Sequence, residues 1–303
     1  MNPLVSGIAW FALNGVALVV SCFPRRFELW LGPKLGRLFL LVDPKRRRIA
    51  ADNIRNCFPD WSEERRARLL KENYEHYGLL GLELLHQLSP IPGHYRRFAL
   101  KNSVVDNFEV FERLNARGRG TIIVTGHFAN WEIAGVAATR GIRVMVTGKT
   151  IKPAWLNERL FKSREAIDAR TASGKRILPE VLRWIKQGNC GAFIMDQYLA
   201  PPAGVMVKFF GVEVATQGVV GLVVKRTGAP IFMCFQRRDE NGVIHVIFEE
   251  AALTQEELDD PLKVTQRLAS EIENRLRKNP AQWLWVHRRF KNVVWPDAVA
   301  AGV

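Results

Sequence analysis

After Gly118 the chain changes character, and short apolar runs recur at 121–125 (TIIVT), 142–147 (IRVMVT), 191–195 (GAFIM), 229–235 (APIFMCF) and 243–248 (VIHVIF). Strands buried on both faces read as continuous apolar runs rather than alternations. Helical stretches lie between most of the runs, and Gly141, Gly188 and Gly228 stand where those helices should end. The pattern predicts an α/β fold: a mostly parallel sheet covered by helices on both faces. A last helix is predicted from Thr254, with Glu257 completing a capping box, to about Lys278 before Pro280.

The residues before the sheet read as helices. Pro44–Asn56 (PKRRRIAADNIRN) is basic and broken by Phe58-Pro59, and Asp60 with Glu63 three positions later predicts a capped start for the next helix. That helix runs to about Gln87, with Leu69, Leu70, Tyr74, Tyr77, Leu80 and Leu84 at helical spacing, most simply a core face. A further helix is predicted over Asn107–Asn115. Three regions follow: an N-terminal membrane segment over 1–25, a helical membrane-proximal region over 26–100, and an α/β domain over 101–303, with a soft boundary near residue 100.

The 21 residues from Pro3 to Phe23 (PLVSGIAWFALNGVALVVSCF) contain no charge. At about 1.5 Å per residue a helix of that length covers roughly 30 Å of hydrocarbon. A cleaved signal peptide, a lipoprotein signal ending at Cys22 and an interfacial hairpin helix are the rival readings. Signal sequences carry positive charge ahead of the apolar run, whereas here only Met1 and Asn2 precede it and Arg25 and Arg26 follow. By the positive-inside tendency the basic residues hold the following domain in the cytoplasm, at an inner membrane. The whole chain carries a net charge of +14 and a pI near 10.0. Such a balance implies anionic partners: nucleic acid, an anionic leaflet, or phosphorylated and acidic substrates.

Titratable residues concentrate in Thr125-Gly126-His127-Phe128-Ala129-Asn130-Trp131-Glu132, directly after the strongest strand. On a regular helix residues five apart lie roughly 140° from each other, so His127 meets Glu132 only if it precedes the helix. Asn130 is then the N-cap, and Glu132 sits in the first turn, where the helix dipole favours its ionised form. A carboxylate there would accept the imidazole N–H and leave the other ring nitrogen as a general base. The alternative is a strand-to-helix turn that happens to hold a capped or solvated histidine.

GHFANWE resembles the H-x4-D/E signature of lysophospholipid acyltransferases, in the H-F-x-N-W-E spelling of the lipid A biosynthesis (Kdo-lipid A) lauroyl and myristoyl acyltransferases. Asp196-Gln197, Lys208-Phe209-Phe210-Gly211, Thr216, Thr227-Gly228-Ala229-Pro230 and Trp285-Val286-His287-Arg288-Arg289-Phe290-Lys291 resemble that family in the same order, as does the uncharged N-terminus. The resemblance implies a mixed, largely parallel sheet flanked by helices, on the cytoplasmic face of the inner membrane. It also implies acyl carrier protein thioesters as donors, or coenzyme A thioesters in some relatives, and a lipid acceptor. His127 would deprotonate an acceptor hydroxyl, Glu132 would orient the imidazolium, and no acyl-enzyme would form. The family's downstream arginine, associated with the oxyanion or a phosphate, matches Arg164 by distance, with Arg159 and Arg170 as alternatives.

Asp196, at a strand's carboxyl end, is a further candidate for lining the site, as is Asn130. No resident cofactor or metal is expected: Gly148-Lys149-Thr150 lacks the first P-loop glycine, and His76, His86, His94, His245 and His287 are scattered. Cys190 reads as packing at a strand entry. GxSxG and HExxH are absent from the sequence. A non-catalytic basic protein that binds membranes or nucleic acid would explain the charge and the anchor but not the ordered motifs. The chain carries no nucleic-acid fold signature, so nucleic acid is not an expected partner.

Overall fold

The structure, a computed structural model, describes residues 3–295 apart from 117, 175 and 176. The ends of the first and third expected regions, 1–2 and 296–303, therefore lie outside the described residues. Six helices precede or flank the first strands: α1 (Pro3–Ser21), α2 (Arg25–Val42), α3 (Pro44–Cys57), α4 (Glu63–Gln87), α5 (His94–Asn102) and α6 (Phe108–Asn115). Asp43 caps α3 by accepting from Arg46 N, and Pro44 occupies its first turn, where a missing N–H costs nothing. The cap of α4 is Ser62, which accepts from Arg65 N, rather than Asp60. Asp60 falls two residues too early, in the turn between the helices.

Nine strands follow among the described residues: β1 (Ser103–Asp106), β2 (Thr121–Thr125), β3 (Val144–Thr147), β4 (Ala169–Ala172), β5 (Cys190–Ile194), β6 (Gly204–Phe209), β7 (Val212–Gln217), β8 (Ile231–Arg238) and β9 (Ile244–Glu250). Seven form one sheet in the order β1-β9-β8-β2-β5-β3-β4, parallel throughout except at the β8–β9 hairpin. This is the mixed, largely parallel sheet expected, flanked by α7 (Ala154–Glu165), α8 (Ile177–Lys186) and α9 (Val219–Thr227) with the earlier helices. Gly141, Gly188 and Gly228 adopt the left-handed conformation predicted for helix ends, with φ of 91°, 84° and 62°.

The five apolar runs correspond to β2, β3, β5, β8 and β9. Sequence patterning did not anticipate β1 or β4, which are four residues each at the two sheet edges and only partly buried. Nor did it anticipate the separate β6–β7 hairpin, whose two-residue turn places Phe210 and Gly211 at φ of 52° and 79°. The expected single C-terminal helix is two. The Thr254–Glu257 capping box forms and starts α10 (Gln255–Asp259), but Asp260 then extends and caps α11 (Pro261–Lys278). Pro261 cannot donate to the preceding turn and disfavours helix at the residue before it.

Helix α2 crosses α4 at backbone contact. A Cβ added to Gly36 would lie 1.9 Å from the Tyr74 carbonyl oxygen, and one on Gly78 would lie 2.0 Å from that of Gly32. This approach presses α4 onto the protein, and its buried polar side chains (Asn73, His76, Glu83 and Gln87) point inward. Ala50, Ile54, Leu69 and Tyr74 from α3 and α4 share one apolar cluster with Ile122, Phe193 and Trp283.

Candidate active site

The central strands β2 and β5 are paired with Thr125 opposite Ile194. Two residues beyond each, at the carboxyl edge where α/β folds gather ligands, stand His127 and Asp196. Asp196 Oδ1 lies 2.6 Å from His127 Nδ1, and Asp196 Oδ2 accepts from the His127 backbone N–H at 2.7 Å. Gly126 permits this approach, because a Cβ there would come within 2.9 Å of Asp196 Oδ2. The indole N–H of Trp283 donates to the same oxygen at 2.7 Å. Burial alone would raise the Asp196 carboxyl. The charge of His127 and these three hydrogen bonds outweigh it and hold the group below the ordinary aspartate range.

With Nδ1–H donated to Asp196, Nε2 of His127 carries the lone pair. The Gln197 amide nitrogen is 3.1 Å from it, and the imidazole packs edge-on to Trp131. Arg289, itself buried, fixes Gln197 by donating to its carbonyl while also bonding the Ala215 carbonyl and Thr216 Oγ1. His287 completes this wall. Burial lowers its pKa, with Asp196 opposing and His127 and Arg289 assisting.

Glu132 is not the partner of His127 that the spacing suggested. Residues Trp131–Arg140 form a 3-10 helix, and the Glu132 carboxylate is engaged by Arg164 through Nη2 at 2.7 Å and Nε at 2.8 Å, with the Gln87 amide donating at 3.1 Å. Burial opposes the charge on Glu132, and Arg164 with Gln87 and His127 overcomes it, lowering the carboxyl pKa. Arg164 is thus joined to the motif but bound to its glutamate rather than directed at His127. Arg159 bonds Asn14 of α1 and Arg170 stacks on Trp184, which separates both from the motif. Asn130 is buried next to the histidine, yet its side chain makes no cap bond and its Oδ1 is unpartnered. The tight turn is closed instead by the backbone, Ile133 N–H to Asn130 O.

The C-terminal segment after α11 braces the motif. Phe128 bridges Trp283, and the Ala129 N–H donates to the Gln282 carbonyl. From outside, Asn73 and Tyr77 bond the Trp283 carbonyl and Asn53 bonds those of Trp285 and His287. His76 has a backbone hydrogen bond to Ala129 and accepts from Arg238, which is paired with Glu83. Gln197, Trp283, Arg289 and His76 were not singled out individually from sequence. The only signal was that three of them fall in the blocks 196–197 and 285–291 or beside them. Cys190 is buried with its thiol pushed up to about 12, in keeping with packing.

Beneath the 3-10 helix lies an apolar slot between that helix and the sheet, walled by Ile123, Ala137, Val144, Ala192 and Phe248 and closed at its polar end by the Glu132–Arg164 pair.

Over 291 residues the chain is 26% identical to the lipid A biosynthesis lauroyltransferase of Escherichia coli (strain K12), covering 94% of this chain and 91% of the relative. It is 25% identical over 292 residues to the lipid A biosynthesis palmitoleoyltransferase of the same strain, with the same coverage. A phosphatidylinositol mannoside acyltransferase of Mycolicibacterium smegmatis (strain ATCC 700084 / mc(2)155) is 27% identical over 184 residues, 59% of each protein. The family profile of the bacterial lipid A biosynthesis acyltransferases matches residues 3–292. Since that match runs from the apolar N-terminal helix through the motif to the bracing segment, the chain belongs to the bacterial lipid A biosynthesis acyltransferase family.

Proposed function

We propose that this acyltransferase moves a fatty acyl chain from an acyl carrier protein thioester to a hydroxyl of a lipid A precursor at the cytoplasmic face of the inner membrane. The observation that carries the reading is the pairing of the partly exposed His127 with the buried Asp196 at the carboxyl edge of β2 and β5. His127 Nε2 takes the proton of the acceptor hydroxyl, and Asp196 fixes the tautomer and stabilises the imidazolium that forms. The alkoxide oxygen bonds to the thioester carbonyl carbon. As the tetrahedral intermediate collapses, the carbon–sulfur bond breaks and His127 returns its proton to the leaving thiolate. The side-chain amide of Gln197 occupies Nε2 in the resting protein and yields that position to the acceptor.

Glu132 and Arg164 act as a unit on this reading, holding the 3-10 helix against α7 at the closed polar end of the apolar slot. The donor's acidic carrier meets a protein of net charge +14. The excess of basic residues also favours the anionic cytoplasmic leaflet.

The test is transfer of labelled acyl chains from acyl carrier protein to a lipid A precursor by washed membranes, compared with a His127→Ala chain. Product formation that depends on His127 supports the reading. A protein that acylates only a phosphatidylinositol mannoside would overturn the acceptor while leaving the chemistry in place.

A further inference from the structure

The polar residues of α1 are not scattered round the helix. Ser6 Oγ accepts from the indole N–H of Trp155 at 3.0 Å, Asn14 Oδ1 accepts from Arg159 at 2.5 Å, and Ser21 bonds Ser89 at 2.7 Å. With the buried Ala17 and Val20 these positions form one stripe facing the protein. From Ser6 to Ser21 the rise is about 22 Å, so the helix is fastened along most of its length. Its outer face is apolar and exposed: Leu4, Val5, Ile8, Phe11, Val16 and Val19.

Helix α1 packs on α4, and at Ser6 and Asn14 it also meets α7, which carries Glu158, Arg159 and Lys162, the first and last joined in an exposed ion pair. If α1 crossed the bilayer, these ions would be carried into hydrocarbon beside it, where charged groups are strongly disfavoured. Helix α2 also packs on α4 and exposes Phe27, Trp30, Leu38, Leu41 and Val42. Interspersed with them are the exposed Arg26 and Lys34, the latter with Nζ 3.8 Å from the Trp30 ring centre, and the one acidic residue of α2, Glu28, is buried. Aromatic and basic side chains on an apolar face match the headgroup boundary of an anionic leaflet.

The geometry points to α1 lying in the plane of the membrane, with its outer face and that of α2 sunk into one anionic leaflet and its N-terminus on the same side as the catalytic domain. This rests on the membrane location proposed above but not on the chemistry of the site. It replaces the spanning anchor that length and hydropathy alone allow, with the N-terminus outside.

A protease-cleavable tag placed ahead of Met1 in the full chain tests it in intact spheroplasts and in inverted membrane vesicles, with digestion of the catalytic domain followed in the same samples. Tag and domain protected together in spheroplasts and cut together in inverted vesicles is the expected result. A tag cut from outside while the domain stays protected would overturn the in-plane helix. Cutting of both from outside would keep α1 in plane and overturn only the cytoplasmic orientation. In a second measurement, replacing Arg26 and Lys34 by Gln should weaken binding to phosphatidylglycerol vesicles by about thirtyfold at low salt. Unchanged binding would remove the basic rim from the docking surface.

Discussion

Asp196 and His127 are sixty-nine residues apart in sequence, yet Oδ1 of one lies 2.6 Å from Nδ1 of the other. Their meeting follows from register: Ile194 is paired with Thr125, and each strand contributes the residue two positions past its end. Asp196→Asn keeps the size of the side chain and removes the charge that supports an imidazolium. Turnover is expected to fall by about 10² to 10⁴ with the circular dichroism spectrum unchanged. Wild-type turnover in a folded Asp196→Asn protein would exclude the pair from catalysis.

The amide nitrogen of Gln197 lies 3.1 Å from Nε2 of His127, on the lone pair that the mechanism uses. Gln197→Glu substitutes an anionic acceptor that favours the imidazolium. Asp196, Glu132, His287 and Arg289 surround the same ring or its partner and remain unchanged. The acid limb of kcat/KM in Gln197→Glu should therefore lie at higher pH than in wild type. A pH profile that coincides with wild type would show that the amide does not touch the base during turnover.

Arg164 is buried, Glu132 is largely so, and the two bind each other through two hydrogen bonds. Arg164→Ala leaves the carboxylate without its counter-charge and should cost about 3 to 5 kcal/mol in thermal or denaturant unfolding. Adding Glu132→Gln to Arg164→Met should recover most of that loss, since the cost is that of an uncompensated charge rather than of a missing attraction. Equal instability of the single and double variants would contradict this account.

Two sets of groups give stability a stepped dependence on pH. Burial next to Arg238 holds His76 well below the usual histidine range, so it stays neutral in the folded protein while the unfolded chain binds a proton below about pH 6.5. Stability is thus lost as pH falls from about 6.5 toward the lowered folded value, at up to about 1.4 kcal/mol per pH unit. Glu83, Glu132 and Asp196 have lowered carboxyl pKa values despite burial, because Arg238, Arg164 and His127 sit beside them. Their contribution is complete above the unfolded carboxyl range near pH 4 and disappears as pH falls through the folded values. His76→Gln can make both hydrogen bonds without titrating, so the slope of stability between pH 7 and 5 should become shallower, with the share from the lowered His94 and His287 remaining, while the loss below about pH 4 persists. An unaltered slope between pH 7 and 5 would clear His76 of the first step.

Local pattern was sufficient wherever one segment carries its own reason. The run TIIVT is β2, the Thr254–Glu257 box forms, and His127 stands at a strand end. Pairings made across the chain were not legible in this way. Glu132 has a histidine five residues away, but its partner Arg164 comes from α7, and the imidazole takes its carboxylate from the loop that follows β5. The edge strands β1 and β4 are too short and too exposed to write an apolar run, and their pairing depends on β9 and β3. Asn130 looks like a cap by residue type, but the 3-10 turn after it is set by the backbone and by packing against the sheet.

The segment around Trp283 follows His127 by 156 residues, yet it supplies the N–H on Asp196, the strand partner of Phe128 and the carbonyl that receives Ala129. Alignment of the base is therefore a long-range property, complete only when this strap has docked between α4 and the motif. The sheet does not depend on that docking, since its seven strands pair with one another alone. Local release of the strap would leave the sheet standing and the imidazole without its fixed carboxylate, so function can be lost well before the fold is.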